Sequence, residues 1–542
     1  MKSIKHPFAI FSFLIVSLCF SIYYSSLFYG FFSYDDPTYL LSNEGVINFD
    51  WRKIFSPLAS AYSPLTFLSY ALEHALIQFQ PFYYHVTNTV LHTLNSLLAA
   101  YFIFRISNKN LLISAFVGLL FAAHPLRVES VVWITERKDV LSIFFYLSAL
   151  IAYVNYLEQK KNRFGFLTFL LFVCSVLSKS TSVSFPLLLV AFDFYFRRSI
   201  SRRVVFEKIP FFIVSLVIGL FQVKLLSTKS SAAQPFDLHF LDAITSFAFY
   251  ISKTIAPVDL AVFYERNAVS VSALEYAMAS FFILIIGACY FRFKDQRRAI
   301  VLGMAFFVFS LLPVSQILPF GTGFIFADRY MYLPSIGMFF VCALVLTSTL
   351  PRIAFVILTA TLTIACGYAS FERTKVWRSS ESLWKDVLQK YPNSSVASNN
   401  LGIEYFQMGK MDDAVTHFQN AVTANPTYLE AHNNLGGALT TIKELDRAFQ
   451  AFQAALKIDP KDAGAHYGLG NIYTSLGRTV DAKSEYLLAL NSEPDHISAR
   501  VNLGLTYLKE GHGDRAKEQF NLVLEKNPMH EKARKALNSI PR

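Results

Sequence analysis

The chain has 542 residues, of which 54% are hydrophobic, 16% aromatic and only 16% charged, with a formal net charge of +11. That balance excludes an ordinary water-soluble enzyme along the whole length and points to a multi-span membrane protein. The positive charge does not indicate nucleic-acid binding, because most Lys and Arg of the first two thirds sit in short clusters between apolar runs, as loop anchors do. The five cysteines, Cys19, Cys174, Cys289, Cys342 and Cys366, lie inside apolar stretches without metal-type spacing and read as packing residues.

A span needs about 20 apolar residues. In chain order the candidates are 8–30, 84–104, 111–124, 140–157, 164–178, 181–196, 209–226, 274–291, 299–317, 331–350 and 353–370. The first has a charged start like a signal peptide, but its apolar run is long and lacks a small-residue cleavage site, so it reads as a retained span. Eleven spans with a cytoplasmic N-terminus place every basic cluster on one side: Lys2/Lys5, Arg105/Lys109, Lys160/Lys161/Arg163, Arg197/Arg198/Arg202/Arg203 and Arg292/Lys294/Arg297/Arg298. Residues 241–257 could also span, but would then break that rule, so they read as a re-entrant or interfacial helix. The same parity sends loops 31–83, 124–139, 227–272 and 318–330, and the C-terminal region, to the opposite face.

After Lys375 the composition becomes that of a soluble helical domain. Prolines recur 34 residues apart at Pro392, Pro426, Pro460, Pro494 and Pro528, and Gly402, Gly436, Gly470 and Gly504 keep the same phase. So do Ala414, Ala448, Ala482 and Ala516, and so do Phe418, Phe452, Tyr486 and Phe520. This is the tetratricopeptide pattern, four repeats of paired helices. The expected division is a membrane domain over 1–375, a connecting amphipathic helix over 376–391, and a repeat domain over 392–542. The fold class is therefore all-α. Asn400, Asn434 and Asn502 share one phase on the first helix of their repeats, where an asparagine ladder either binds an extended peptide backbone or bonds between neighbouring repeats.

Two loops hold more ionisable residues than solvation requires. The first outer loop, "GFFSYDDPTYLLSNEG", places Asp35 beside Asp36, either as a working pair or with Asp36 capping a helix that Pro37 opens. "HPLRVESVVWITERKD" packs His124, Arg127, Glu129, Glu136, Arg137, Lys138 and Asp139 between two spans, either as a site or as a water-facing loop whose charges neutralise one another. Asp328-Arg329-Tyr330 repeats the combination in "GTGFIFADRYMYLPSIG".

These motifs, in this order and ahead of tetratricopeptide repeats, resemble the transmembrane and tetratricopeptide repeat-containing O-mannosyltransferases and their bacterial relatives, which are polytopic GT-C-fold glycosyltransferases. The resemblance covers nearly the whole chain. It implies transfer of a sugar, mannose in the animal members, from a polyprenyl- or dolichyl-phosphate carrier to acceptor hydroxyls such as Ser/Thr of proteins, on the extracytoplasmic face. It implies residence in a bacterial inner membrane, or the endoplasmic reticulum if the source is eukaryotic. With only four repeats, the chain does not carry over the acceptors of the animal members.

On that resemblance, Asp35 or Asp36 accepts the hydroxyl proton, with Asp35 favoured, and Arg137, Lys138 and Arg329 hold the donor phosphate. His124, Glu129, Glu136, Asp139 and Asp328 support the loops, His124 as a structural residue beside Pro125. No metal ligand set is assigned; a divalent ion bridging the aspartates to phosphate stays open, since two carboxylates are too few to predict one. The expected partners are the lipid-linked donor, the membrane, and an acceptor protein or partner enzyme on the repeats. Alternatives are a glycan- or lipid-modifying enzyme of the same fold whose repeats dock a partner, and a non-catalytic membrane scaffold.

Overall fold

The computed structural model describes residues 5–58, 62–227, 236–266, 268–315, 317 and 324–540. Lys2 of the first basic cluster and Gly321 to Gly323 of the third motif lie outside them. The chain forms two compact units, Met1–Lys390 and Tyr391–Arg542. Both are helical; the described residues form one short antiparallel pair, Tyr264–Glu265 with Phe324–Phe326, in which Tyr264 faces Phe326.

In the first unit, six helices are long and apolar enough to cross a membrane: Pro81–Ile106, Ile134–Gln159, Arg202–Leu225, Ala273–Arg292, Lys294–Val314 and Arg352–Val376. A bent pair, Leu111–Ala123 with Pro125–Val132, makes a seventh if counted as one span. The expected eleven are therefore not confirmed. The difference lies in length: Ala9–Tyr23, Asn162–Ser178, Ser180–Tyr195 and Ser335–Thr349 are apolar but shorter. The 241–257 segment belongs to the helix Phe236–Ile255, which is not among the membrane-crossing candidates.

Helix–helix contact inside a bilayer relies on close approach over small residues. Gly303 and Gly337 supply it where Arg297–Leu311 crosses Ser335–Thr349: a Cβ on Gly337 would lie 2.4 Å from the Gly303 carbonyl oxygen.

The ends of these helices sort by charge. At one end Arg105 pairs with Glu158 at 2.7 Å, the Tyr195 hydroxyl donates to the Ile106 carbonyl, Arg198 pairs with Glu207 at 2.7 Å, and Arg298 lies over the Phe194 ring. The basic clusters of residues 105–109, 160–163, 197–203 and 292–298 therefore gather there. The other end holds Glu129, Glu136 and Asp139. From Glu136 to Glu158 the helical path is about 33 Å at 1.5 Å per residue, close to a bilayer's hydrocarbon thickness.

In the second unit four helix pairs follow one another: Ser395–Gln407 with Met411–Ala424, Leu429–Thr441 with Leu445–Ile458, Ala463–Ser475 with Thr479–Ser492, and Ile497–Lys509 with Gly513–Lys526, closed by Glu531–Asn538. The phase of the glycines has a direct cause. A Cβ on Gly436 would lie 2.7 Å from the Phe452 ring, so the two helices of the repeat meet only over glycine. The helix Ser380–Lys390, within the expected connecting segment, belongs to the first unit, where Trp384 is buried against Tyr34 and Asp386 pairs with Arg373 at 2.6 Å.

Candidate active site

The segment from His124 to Asp139 is folded and buried except at Lys138, which is half-buried. It reads Pro125–Arg127 as one 3-10 turn, Val128–Val132 as a short helix and Ile134–Glu136 as a second 3-10 turn, and it then enters the helix Arg137–Gln159. Of the two readings left open for this segment, the water-facing loop does not describe it. Buried charges persist only when paired and hydrogen-bonded, and nearly every ionisable group here has such a partner.

Three cations from three elements converge on Glu136: Lys138 at 3.0 Å, Lys179 at 3.4 Å and the Arg329 Nε at 3.4 Å. Arg329 also pairs with Glu129, which accepts the Arg329 backbone N–H at 2.9 Å. Lys179 also pairs with Asp139, which accepts from the Ser130 hydroxyl at 3.2 Å. Three acids thus balance three cations, and the charges are held in place before any ligand arrives. Lys138 further lies over the Tyr39 ring and Arg329 over Trp133.

Asp35 borders this cluster. It is half-buried, and Lys138, Glu136 and Arg329 are the charges it feels most. Burial raises its pKa above the ordinary carboxylate value, against the opposing pull of Lys138. The neighbouring Tyr34 packs on Trp133 at 5.8 Å and on Trp384 at 5.4 Å between centroids, which fixes the loop.

Asp36 is fully buried, and its Oδ2 accepts the Phe32 backbone N–H at 2.8 Å. Its side chain does not cap the π-helical turn Pro37–Leu41, although Pro37 opens that turn; it bonds backward instead. Oδ1 is buried without a hydrogen-bond partner among the described residues, and burial pushes the carboxyl up to about 7. The pair therefore divides by exposure: Asp35 is reachable and Asp36 is enclosed.

Other expected site residues lie elsewhere. Arg137 is buried away from the cluster, paired with Glu73, donating from Nε to Asn88 at 2.9 Å and from Nη2 to the Tyr84 carbonyl at 3.1 Å, and stacked over Tyr70. Its donors are occupied by the fold, so its expected phosphate role does not carry over. His124 accepts from the Leu126 N–H at Nδ1 and reaches the Thr254 carbonyl from Nε2 at 3.1 Å, as a structural residue does. Asp328 faces away from its neighbour Arg329: it accepts from the Tyr264 hydroxyl at 2.6 Å, and burial raises its pKa.

Lys179 is the residue that the sequence reading missed. Its signal was available: it is a lone cation in the two-residue gap between the expected spans 164–178 and 181–196, on the same face as the acids by parity.

In the repeats, the Asn434 amide donates to Asn399 at 2.9 Å and the Asn502 amide to Asn471 at 2.8 Å, so both bond to the preceding repeat. Asn400 differs: its amide nitrogen is buried without a partner among the described residues. Among those residues no three His, Cys, Asp or Glu are arranged to hold a metal ion.

Known proteins match both units. Tetratricopeptide repeat families match residues 399–463 and 443–496. A protein O-mannosyl-transferase of Caenorhabditis elegans is 26% identical over 75% of this chain and 61% of its own length. Protein O-mannosyl-transferase TMTC1 of Homo sapiens is 24% identical over 68% of this chain and 48% of its own. Protein O-mannosyl-transferase TMTC3 of Mus musculus is 22% identical over 76% and 51%. The chain thus spans about half to three fifths of the length of these curated relatives. Among solved structures, that of MamA is 32% identical over 27% of this chain and 86% of that one, with a TM-score of 0.25. The chain thus carries tetratricopeptide repeats after helices long and apolar enough to cross a membrane, and over most of its length it is similar to the TMTC protein O-mannosyl-transferases.

Proposed function

We propose that this protein transfers mannose from a polyprenyl- or dolichyl-phosphate carrier to hydroxyls of acceptor proteins, on the face of the membrane that holds the Glu136 cluster. The observation that carries this reading is the convergence of Lys138, Lys179 and Arg329 on Glu136 beside the half-buried Asp35. The homologues' names support the sugar and the acceptor class.

Each group has a task in a single displacement. The acceptor oxygen bonds to the anomeric carbon, its proton passes to Asp35, and the bond from that carbon to the phosphate oxygen breaks with inversion. A carboxylate with a raised pKa is the better proton acceptor near neutrality. The lipid phosphate leaves with increased negative charge, which Lys138, Lys179 and Arg329 stabilise. Since their ion pairs already fix them, little reorganisation is needed at that moment. Asp36 positions the loop through Phe32. The repeats recruit the acceptor. The opening basic clusters face the cytoplasm, as loop anchors do.

The test uses the purified full-length protein, synthetic polyprenyl-phosphate mannose and an acceptor protein. Asp35→Asn lowers transfer by about 10²–10⁴-fold, the range for loss of a general base. Lys179→Met lowers it by about 10²-fold, as loss of one charge-stabilising donor does. Wild-type transfer by Asp35→Asn at every pH would remove the proposed base.

A further inference from the structure

At the end of the bundle away from Glu136, the helices Phe185–Tyr195 and Ile209–Ser227 flank a cleft of about 760 Å³. Its walls are apolar. Val190 and Phe194 stand four residues apart on one helix, and Ile209, Phe212, Ile213 and Leu216 follow the i, i+3, i+4, i+7 spacing on the other, so one face of each lines the groove.

Its rim is cationic. Arg197, Arg198, Lys208 and Arg298 line it, and Asp193 is the one acid among the lining residues. Asp193 is already taken by Lys208 at 2.8 Å and by the Tyr153 hydroxyl, and Arg198 is taken by Glu207 at 2.7 Å. Arg298 is different. It lies over the Phe194 ring at 5.4 Å, and its Nη1 is buried without a hydrogen-bond partner among the described residues. Arg197 is exposed at the helix end and has no ion pair among those residues. A guanidinium N–H removed from water without an acceptor is costly, and a ligand oxygen would relieve that cost.

We infer that this cleft binds one anionic glycerophospholipid, with the phosphodiester between Arg298 and Arg197 and an acyl chain along Ile209, Phe212, Ile213 and Leu216. Charge complementarity selects the headgroup: with Lys208 paired to Asp193 and Arg198 to Glu207, the guanidiniums of Arg197 and Arg298 are left uncompensated and favour a net negative charge, whereas a zwitterionic headgroup brings a cation of its own. Guanidinium suits the task because its fork of donors matches two phosphate oxygens. Arg198 of the rim lies over the Tyr156 ring, about 30 Å of helix from Glu136, so the site stands or falls apart from the transfer reaction.

The experiment places the full-length protein in nanodiscs of phosphatidylcholine with and without phosphatidylglycerol, then reads the lipid retained after detergent extraction by native mass spectrometry. The wild type retains phosphatidylglycerol over phosphatidylcholine by about tenfold in affinity. Arg197→Gln with Arg298→Gln erases that preference. Leu216→Trp keeps every cation but fills the groove, and it lowers retention of phosphatidylglycerol, which keeps the test open if the double variant fails to fold. Equal retention of the two lipids by the wild type would overturn the inference. So would an unchanged preference in the double variant, or full displacement of the lipid by soluble glycerol phosphate.

Discussion

Asp36 carries a carboxyl whose folded pKa lies near 7, against 3.8 for the free side chain. Between those values the unfolded chain ionises first and the folded protein holds one more proton, so stability falls as pH rises from about 4 to about 7. Asp36→Asn keeps an acceptor for the Phe32 N–H and removes the titration. Its thermal midpoint is expected to exceed that of the wild type at pH 7, with the gap closing as the pH falls toward 4; a gap that widened on acidification would contradict the assignment. The fate of Arg137 shows why residue type alone misleads. Arg137 and Lys138 are adjacent in sequence, yet at the N-terminus of one helix their side chains diverge, one toward Glu73 and Asn88 and the other toward Glu136.

Single elements decide where these side chains go. The helix that begins at Leu111 breaks after Ala123 because the chain reaches His124-Pro125, and the pair of segments meets at 59°. That break turns the acidic and basic residues that follow into the protein, where a continuous span would have placed them at a surface. The crossing at Gly303 and Gly337 makes a second element-scale prediction. Gly337→Leu forces a side chain into the Gly303 backbone and is expected to cost about 1–3 kcal/mol or more, read as a lower thermal midpoint in detergent. Gly219→Leu, where nothing lies within 4 Å, is the control and is expected to leave the midpoint unchanged. The asparagine phase of the repeats was legible, but not which partner each amide takes: Asn434 and Asn502 reach back one repeat, and Asn400 does not.

Across the whole first unit, charge sorts to two ends about one bilayer apart, with paired acids and cations at one and arginine-rich turns at the other. Single cysteines placed at Ser33 and at Lys161 in a cysteine-free background are therefore expected to label from opposite faces of sealed vesicles. Labelling of both from one face would deny the proposed donor-binding cluster a separate compartment. The role proposed for the repeats is tested at the same scale. A chain ended after Lys390 is expected to lose transfer to acceptor protein; unimpaired transfer would assign the repeats to another partner.

The sequence by itself determined the class and the parts. Apolar runs of span length can be buried only in lipid or a core, a 34-residue phase of Gly, Ala, aromatic and Pro can be satisfied only by stacked helix pairs, and motif order carried the family resemblance. Membership of the site was different. Lys179, Arg329 and Glu136 are separated by tens to hundreds of residues, and no local pattern says which cation a buried acid will take, because the choice depends on which helix ends pack together. The tertiary structure decided that, and with it which of two adjacent aspartates stays within reach of a substrate: burial is a property of everything packed around a side chain, and Asp35 and Asp36 have identical chemistry until the fold encloses one of them.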